Sequence, residues 1–216
     1  MEDIEFKIDP ENDEQQKAFD NNIGRSGSVK IKNNKSNKNR CVFVFDLDNT
    51  LVKTNRANNN AYKEAIRTII GKEISIGYDR FTRSILSKVL PDLTTIQFDT
   101  IIKLKEDFYV NYLRETTLNK QLLKILKLAK ESGCETILLT DSRKTRAKQV
   151  CDFHYLTPFF SRRYYKEDYG NVNKYQFLKS ILPSSESVIL FENEKKEIER
   201  ALQHGLNENQ IITIKF

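Results

Sequence analysis

The run Cys41-Val-Phe-Val-Phe45 is apolar throughout and passes without a spacer into Asp46-Leu-Asp48-Asn-Thr50. Five such residues, β-branched or aromatic, read as a strand buried on both faces, the habit of parallel sheets covered by helices. In open α/β sheets ligands bind beyond the carboxyl ends of the strands. Asp46 and Asp48, two apart on the exit turn, can therefore face one crevice.

The rest of the chain repeats the alternation. Glu135-Thr-Ile-Leu-Leu139 predicts a second buried strand ending at Thr140-Asp-Ser142, Phe159–Tyr165 a third with its exit, Ser187–Phe191 a fourth and Ile211–Ile214 a fifth. Between them lie helical stripes: Leu118–Lys130 with Gly133 at its end, Arg143–Phe153 capped by Ser142, and a helix after Asn173 carrying Tyr175, Phe177, Leu178 and Ile181. A last helix runs to His204-Gly205. Strands alternating with helices argue for an α/β fold, a doubly wound parallel sheet. Residues 58–115 differ. Three apolar stripes, Ala61 to Ile70, Phe81 to Leu90 and Ile101 to Leu113, with Gly71 and Pro91 as stops, predict an all-helical insertion. The expected division is a flexible charged tail over 1–40, a core over 41–56 and 117–216, and a helical cap over 57–116, with Thr54–Tyr62 as hinge.

Asp46, Thr140 and Glu192 each follow the last apolar residue of a strand, so all three should reach the same crevice. One carboxylate of the Asp46/Asp48 pair can attack phosphorus while the other shuttles the leaving-group proton. Close carboxylates repel, and Mg2+, which takes oxygen ligands and bridges to phosphate, relieves that repulsion. Glu192 could complete the metal site, with Glu194 as a substitute. Thr140 offers a hydroxyl to a phosphoryl oxygen, and Lys174, at the start of its helix, a neutralising charge; Lys166 and Lys179 lie near enough to compete for that part. Arg143 reads as a solvated helix-start residue, and His154 and His204 carry no partner signature.

The string from Val42 to Val52 resembles the first motif of the haloacid dehalogenase superfamily, an apolar strand followed by D-x-D-x-T. Ile137 to Ser142 is similar to the second motif, Lys174 is placed like the third, and Val188 to Glu192 with the helix behind it resembles the fourth. The resemblance covers residues 41–216. It implies a Rossmann-like core and phosphatase activity through an aspartyl-phosphate on Asp46, with acid/base work by Asp48. It also implies phosphate contacts from Thr140 and Lys174, with Asp141 and Ser142 counted beside them as substrate-binding. Mg2+ would be held by Asp46, the Asp48 carbonyl and Glu192. Asp48 favours phosphoryl chemistry over carbon–halogen cleavage. The insertion resembles the lid of phosphoglycolate phosphatase-like members, which implies a small phosphorylated substrate. The fourth motif departs from the pattern, with Glu192-Asn193-Glu194 where Asp is usual and Asn193 or Glu197 left to back the metal. Two alternatives follow: a catalytically weakened binding protein on the same fold, or an aspartyl protein phosphatase of the phosphoserine-tail or viral capsid-assembly type, suggested by Thr140–Tyr165. Enzymes of that second type have little or no helical lid.

The tail is acidic over its first twenty residues and basic, Asn- and Ser-rich over the next twenty, with too little apolar surface to offset ordering. Net charge is +6 over 216 residues, an excess that describes a solvated surface and argues against a nucleic-acid partner. Three scattered cysteines, no signal region and no long apolar run lead to the expectation of a reduced, cytoplasmic protein without a membrane span.

Overall fold

The computed structural model describes residues 4–5, 30–31, 41–182 and 187–215. Most of the expected tail lies outside them. Its described part is a two-residue antiparallel pair, β1 (Ile4–Glu5) with β2 (Lys30–Ile31), which a reading of residues 1–40 as unstructured did not include.

Two compact units divide the chain. One takes residues up to 51, 119–143 and 158 onward; the other takes 52–118 and 144–157. The first is built on a five-stranded parallel sheet of β3 (Cys41–Phe45), β6 (Glu135–Leu139), β7 (Arg162–Tyr164), β8 (Ser187–Glu192) and β9 (Ile211–Thr213), in the order β7-β6-β3-β8-β9. β3 is central. The chain steps outward through β6 to β7 and returns to the other side of β3 as β8, which makes the ends of β3, β6 and β8 a topological switch point. The strands have the α/β pattern expected, although β7 is three residues long and Phe159 belongs to a 3-10 turn before it.

Alternation along β3 sorts its side chains. Val42 and Val44 join Ile137, Leu139, Leu190, Tyr169, Tyr175, Leu178 and Ala201 in one buried cluster. Those partners come from the sheet and from three helices, α6 (Lys166–Tyr169), α7 (Lys174–Ile181) and α8 (Lys195–Gln203). Phe43 and Phe45 stack on Phe191, with centroids 6.0 and 4.6 Å apart. Each such side chain contributes about 1.5–3 kcal/mol when fully buried. Helix α4 (Lys120–Glu131) opens on Asn119, whose side chain accepts the Leu122 N–H at 3.1 Å.

The second unit holds α1 (Asn55–Ile70), α2 (Arg83–Val89), α3 (Thr95–Phe108) and α5 (Lys144–Phe153), with a short ladder of β4 (Val52–Lys53) and β5 (Thr117–Leu118). Its core is Tyr62, Ala65 and Ile66 at helical spacing on α1, with Phe81 from the loop before α2, Leu86, Ile101 and Ile102. Gly71 ends α1 at φ +66°, with its N–H on the Arg67 carbonyl, a left-handed position that glycine tolerates. Thr94 and Gln97 form a capping box on α3.

Three expectations shift here. The stretch Thr54–Tyr62, expected as a hinge, lies inside α1 from Asn55 onward. The third stripe does not stay α-helical, because residues 109–115 tighten into 3-10 turns, closed by Thr116, whose N–H and hydroxyl both donate to the Leu113 carbonyl. α5 follows β6 as predicted but groups with the helical unit. Its buried stripe is Ala147, Val150 and Cys151, and the Arg146 guanidinium lies over the Tyr109 ring at 5.5 Å. Among the described residues no helix is long and apolar enough to cross a membrane, and no disulfide joins the cysteines.

Candidate active site

Strand register assembles the site. Phe45 pairs with Leu138 on β6 and with Phe191 on β8, so the residues that follow emerge together. Asp46 is fixed on its backbone by an N–H bond to the Phe191 carbonyl at 3.1 Å. Asn49 then takes φ +58°, a left-handed turn that a short amide side chain tolerates. The turn brings Thr50 back under the first aspartate, where its hydroxyl donates to Asp46 Oδ2 at 3.1 Å.

Lys174 reaches the same carboxylate from α7. The Asn173 side chain caps that helix by accepting the Tyr175 N–H at 2.8 Å, which fixes the first turn and aims Lys174 inward. Its ammonium donates to Asp46 Oδ1 at 3.1 Å and to Glu192 Oε2 at 2.8 Å. Burial alone would strip its proton, but Asp46 and Glu192 outweigh it and hold the pKa well above the usual lysine range. The Asp46 pKa is raised as well, up to about 8, by burial first and then by Glu192 and Asp48, against the pull of Lys174.

Glu192 is fully engaged. Oε2 accepts from Lys174 and from the Tyr175 hydroxyl at 2.7 Å, and Oε1 accepts the N–H groups of Asn193 and Glu194 at 2.9 and 3.1 Å. A carboxylate has about four acceptor positions, so Glu192 stands in the site as the anchor of Lys174. Tyr175, expected as plain core, supplies one of those bonds. The signal was its place next to Lys174 in the first helical turn.

On the β6 side, the Ser142 hydroxyl bonds to Asp48 Oδ2, where the sequence suggested a helix cap; α5 starts later, at Lys144. The Ser142 N–H donates to Thr140 Oγ1 at 3.1 Å, which leaves the Thr140 hydroxyl hydrogen for another acceptor. Asp141 turns its carboxylate to the Tyr169 hydroxyl at 3.1 Å and to Lys166 at 3.4 Å. An anion cannot donate to a phosphoryl oxygen, so any part for Asp141 in substrate binding would fall to its backbone N–H.

Among the described residues no three His, Cys, Asp or Glu side chains converge on a metal position. The reason is local: Glu192 faces Lys174, Asp48 faces Ser142, and position 193 is Asn. A Mg2+ ion, however, takes carbonyl and amide oxygens and needs only one or two carboxylates. The Asp46 carboxylate, the Asp48 carbonyl and the Asn193 amide offer such a set. Asp46 and Glu192 share one lysine, and Glu197, paired with Arg200 through Oε1, buries its other oxygen with no hydrogen-bond partner. That surplus of negative charge suits a cation.

A family model described as haloacid dehalogenase-like hydrolase matches residues 42–181. No curated protein sequence matches the chain. Among solved structures, a predicted phosphoglycolate phosphatase from Haemophilus somnus superposes with a TM-score of 0.65 at 15% identity, covering 78% of this chain and 83% of that one. A haloacid dehalogenase-like family hydrolase from Streptococcus pneumoniae gives 0.61 at 17% identity, covering 83% and 86%. CbbY from Rhodobacter sphaeroides, solved with phosphate, gives 0.60 at 16% identity, covering 78% and 84%. Identities this low speak for the fold.

Proposed function

Because the chain belongs to the haloacid dehalogenase-like hydrolases, we propose that it hydrolyses phosphomonoesters, with Asp46 as nucleophile, Mg2+ as cofactor and a small phosphorylated molecule as substrate. The observation that carries this reading is the Asp46 carboxylate, held at a strand end by Thr50 on one oxygen and Lys174 on the other. A nucleophile needs its attacking oxygen oriented and its charge matched, and these two bonds do both.

Attack by Asp46 on phosphorus forms an aspartyl-phosphate and expels the alkoxide. Asp48, two residues on and bonded to Ser142, gives the leaving oxygen its proton and later takes one from the water that hydrolyses the acyl phosphate. Lys174 and the Thr140 hydroxyl stabilise charge growing on the phosphoryl oxygens. Glu192 and Tyr175 keep Lys174 protonated and aimed. Bound Mg2+, held by Asp46, the Asp48 carbonyl and Asn193, would neutralise phosphoryl charge.

A small substrate agrees with the phosphoglycolate phosphatase named among the similar folds. The helical unit, with a core of its own, weighs against the protein-phosphatase alternative, whose members have little or no lid. The test is hydrolysis of an aryl phosphate with and without Mg2+, in wild type and Asp46→Asn. Metal-dependent turnover that disappears in the variant is the expected result. Turnover surviving in a folded Asp46→Asn variant removes the nucleophile assignment.

A further inference from the structure

Val42 on β3 pairs with Glu135 on β6, and Phe43 with Thr136. One step back along each chain stand Cys41 and Cys134, which therefore lie side by side where the parallel pair begins. Alternation puts both side chains on the Phe43 and Phe45 face of the sheet. Their thiols are in hydrogen-bond contact. Neighbouring strands run about 4.8 Å apart, inside the roughly 4.4–6.8 Å between Cα atoms that a disulfide bridges. Cys134 is 8% exposed and Cys41 half-buried, which admits an oxidant as small as hydrogen peroxide. The third cysteine, Cys151, is buried on α5 in the helical unit.

We propose that Cys41 and Cys134 are a peroxide-responsive dithiol, which oxidation joins into a disulfide stapling β3 to β6 at the end of the sheet remote from Asp46. A thiolate starts the reaction. The contact between the two sulfurs lowers the pKa of Cys134 and raises that of Cys41, so the first proton leaves Cys134. Its thiolate attacks one peroxide oxygen and breaks the O–O bond, giving a sulfenic acid and hydroxide. The hydroxide takes up the proton that Cys134 lost. The Cys41 sulfur then displaces the sulfenic oxygen, and its proton leaves with that oxygen as water. The net change is two thiols oxidised and one hydrogen peroxide reduced, to one disulfide and two waters. The five residues of β3, at about 3.3 Å each, separate this bond from Asp46. What the bond constrains is the chain from 41 to 134, which includes residues 52–118 of the helical unit. Closing so long a loop removes conformational entropy from the unfolded chain, so the oxidised form is the more stable.

The experiment treats the reduced full chain with hydrogen peroxide, removes the excess and counts thiols in denaturant. The count should fall from three to one, with a mass loss of about two hydrogens. An unreduced peptide map should join the segments carrying Cys41 and Cys134, and dithiothreitol should undo the link. Tm should rise by about 5–15 °C on oxidation and return on reduction. In Cys41→Ser, peroxide should give no link, and dimedone should trap a sulfenic acid on Cys134. Three thiols surviving peroxide, a link to Cys151, or separate sulfinic acids without a link would each overturn the inference. So would a link between two chains. A Cys41–Cys134 link that leaves Tm unchanged or lower refutes the staple. Wild type alone supplies the map and the melting shift, so the inference stands or falls even where Cys41→Ser fails to fold. None of these outcomes depends on the phosphatase assignment.

Discussion

Lys174 in the sheet unit and Lys105 in the helical unit are both 3% exposed, yet their neighbours drive their protons in opposite directions. Lys174 sits between Asp46 and Glu192 and is held well above the ordinary lysine range. Lys105 lies over the rings of Tyr62 and Tyr109, at 5.3 and 5.7 Å, and bonds Glu106 at 3.0 Å. Arg146 reaches the same Glu106 oxygen at 3.9 Å. Burial first, then Arg146, bring Lys105 down to about 8, with the pull of Glu106 too small to restore it. Equal burial thus gives a permanent cation where carboxylates are in surplus and a titratable one where cations share a carboxylate. The first arrangement suits a group that must stay charged through a reaction. The second stores repulsion inside a helical unit.

Removing the carboxylate proposed as nucleophile is the largest test of the first arrangement. Asp46→Asn should lower kcat by about 10^4-fold or more, measured on an aryl phosphate. It should cost little stability, because burial and like charge disfavour the ionised carboxylate. A kcat within tenfold of wild type would mean that the Lys174–Asp46 contact is structural only.

The two lysines can then be set against each other. Lys174→Met leaves Asp46 and Glu192 buried without their cation, a change that costs about 3–5 kcal/mol. Lys105→Met leaves Glu106 to Arg146 and removes a strained charge, so it should be neutral or stabilising, by up to about 3 kcal/mol at pH 7. The sign follows from proton binding. Lys105 has a lower pKa folded than unfolded, so between about 8 and 10.5 the unfolded chain binds more protons and wild-type stability rises with pH. Urea unfolding at pH 7 and pH 10 should show the advantage of Lys105→Met shrinking toward zero. A variant as destabilised as Lys174→Met, with no dependence on pH, would break the comparison.

How much of this the sequence carried depends on the range of the interaction. β3, β6 and β8 were legible because apolar runs, of five residues in β3, three in β6 and four in β8, stop abruptly at a polar residue. The strand-end placement of Asp46, Thr140 and Glu192 was legible for the same reason. Partner choice was not. That Glu192 faces Lys174 and Tyr175 follows from the β3–β8 register and the placement of α7, neither of which has a local signal. β4 and β5 are two residues each and leave no periodicity to read. Nothing local marks Lys105, beside Ile101, Ile102 and Leu104, as buried; its burial depends on α1 and on Arg146, 41 positions along the chain.

A milder change probes how Lys174 is held. Tyr175→Phe removes one donor from Glu192 Oε2 and leaves the Lys174 bond in place. The loss should be about 1.5–3 kcal/mol for a hydrogen bond to a charged group. If Glu192 acts through Lys174, kcat should also fall while KM changes little. An unchanged kcat alongside the stability loss would make Tyr175 a packing residue.

The smallest expected effect lies again in the helical unit, at His154. Its Nε2 meets the Thr116 hydroxyl at 2.7 Å, and burial lowers its pKa below the ordinary histidine value. The unfolded chain therefore takes up the proton first on acidification, and stability is lost as pH falls below about 6.5. Like Lys105, His154 is a basic group disfavoured in its charged form by burial, but it is only half-buried, so the slope should be shallow. His154→Asn, which never gains the proton, should flatten that slope in thermal unfolding between pH 7.5 and 5.5. If the slope persists, the acid sensitivity comes from elsewhere, and of these two basic groups only Lys105 carries the effect of burial.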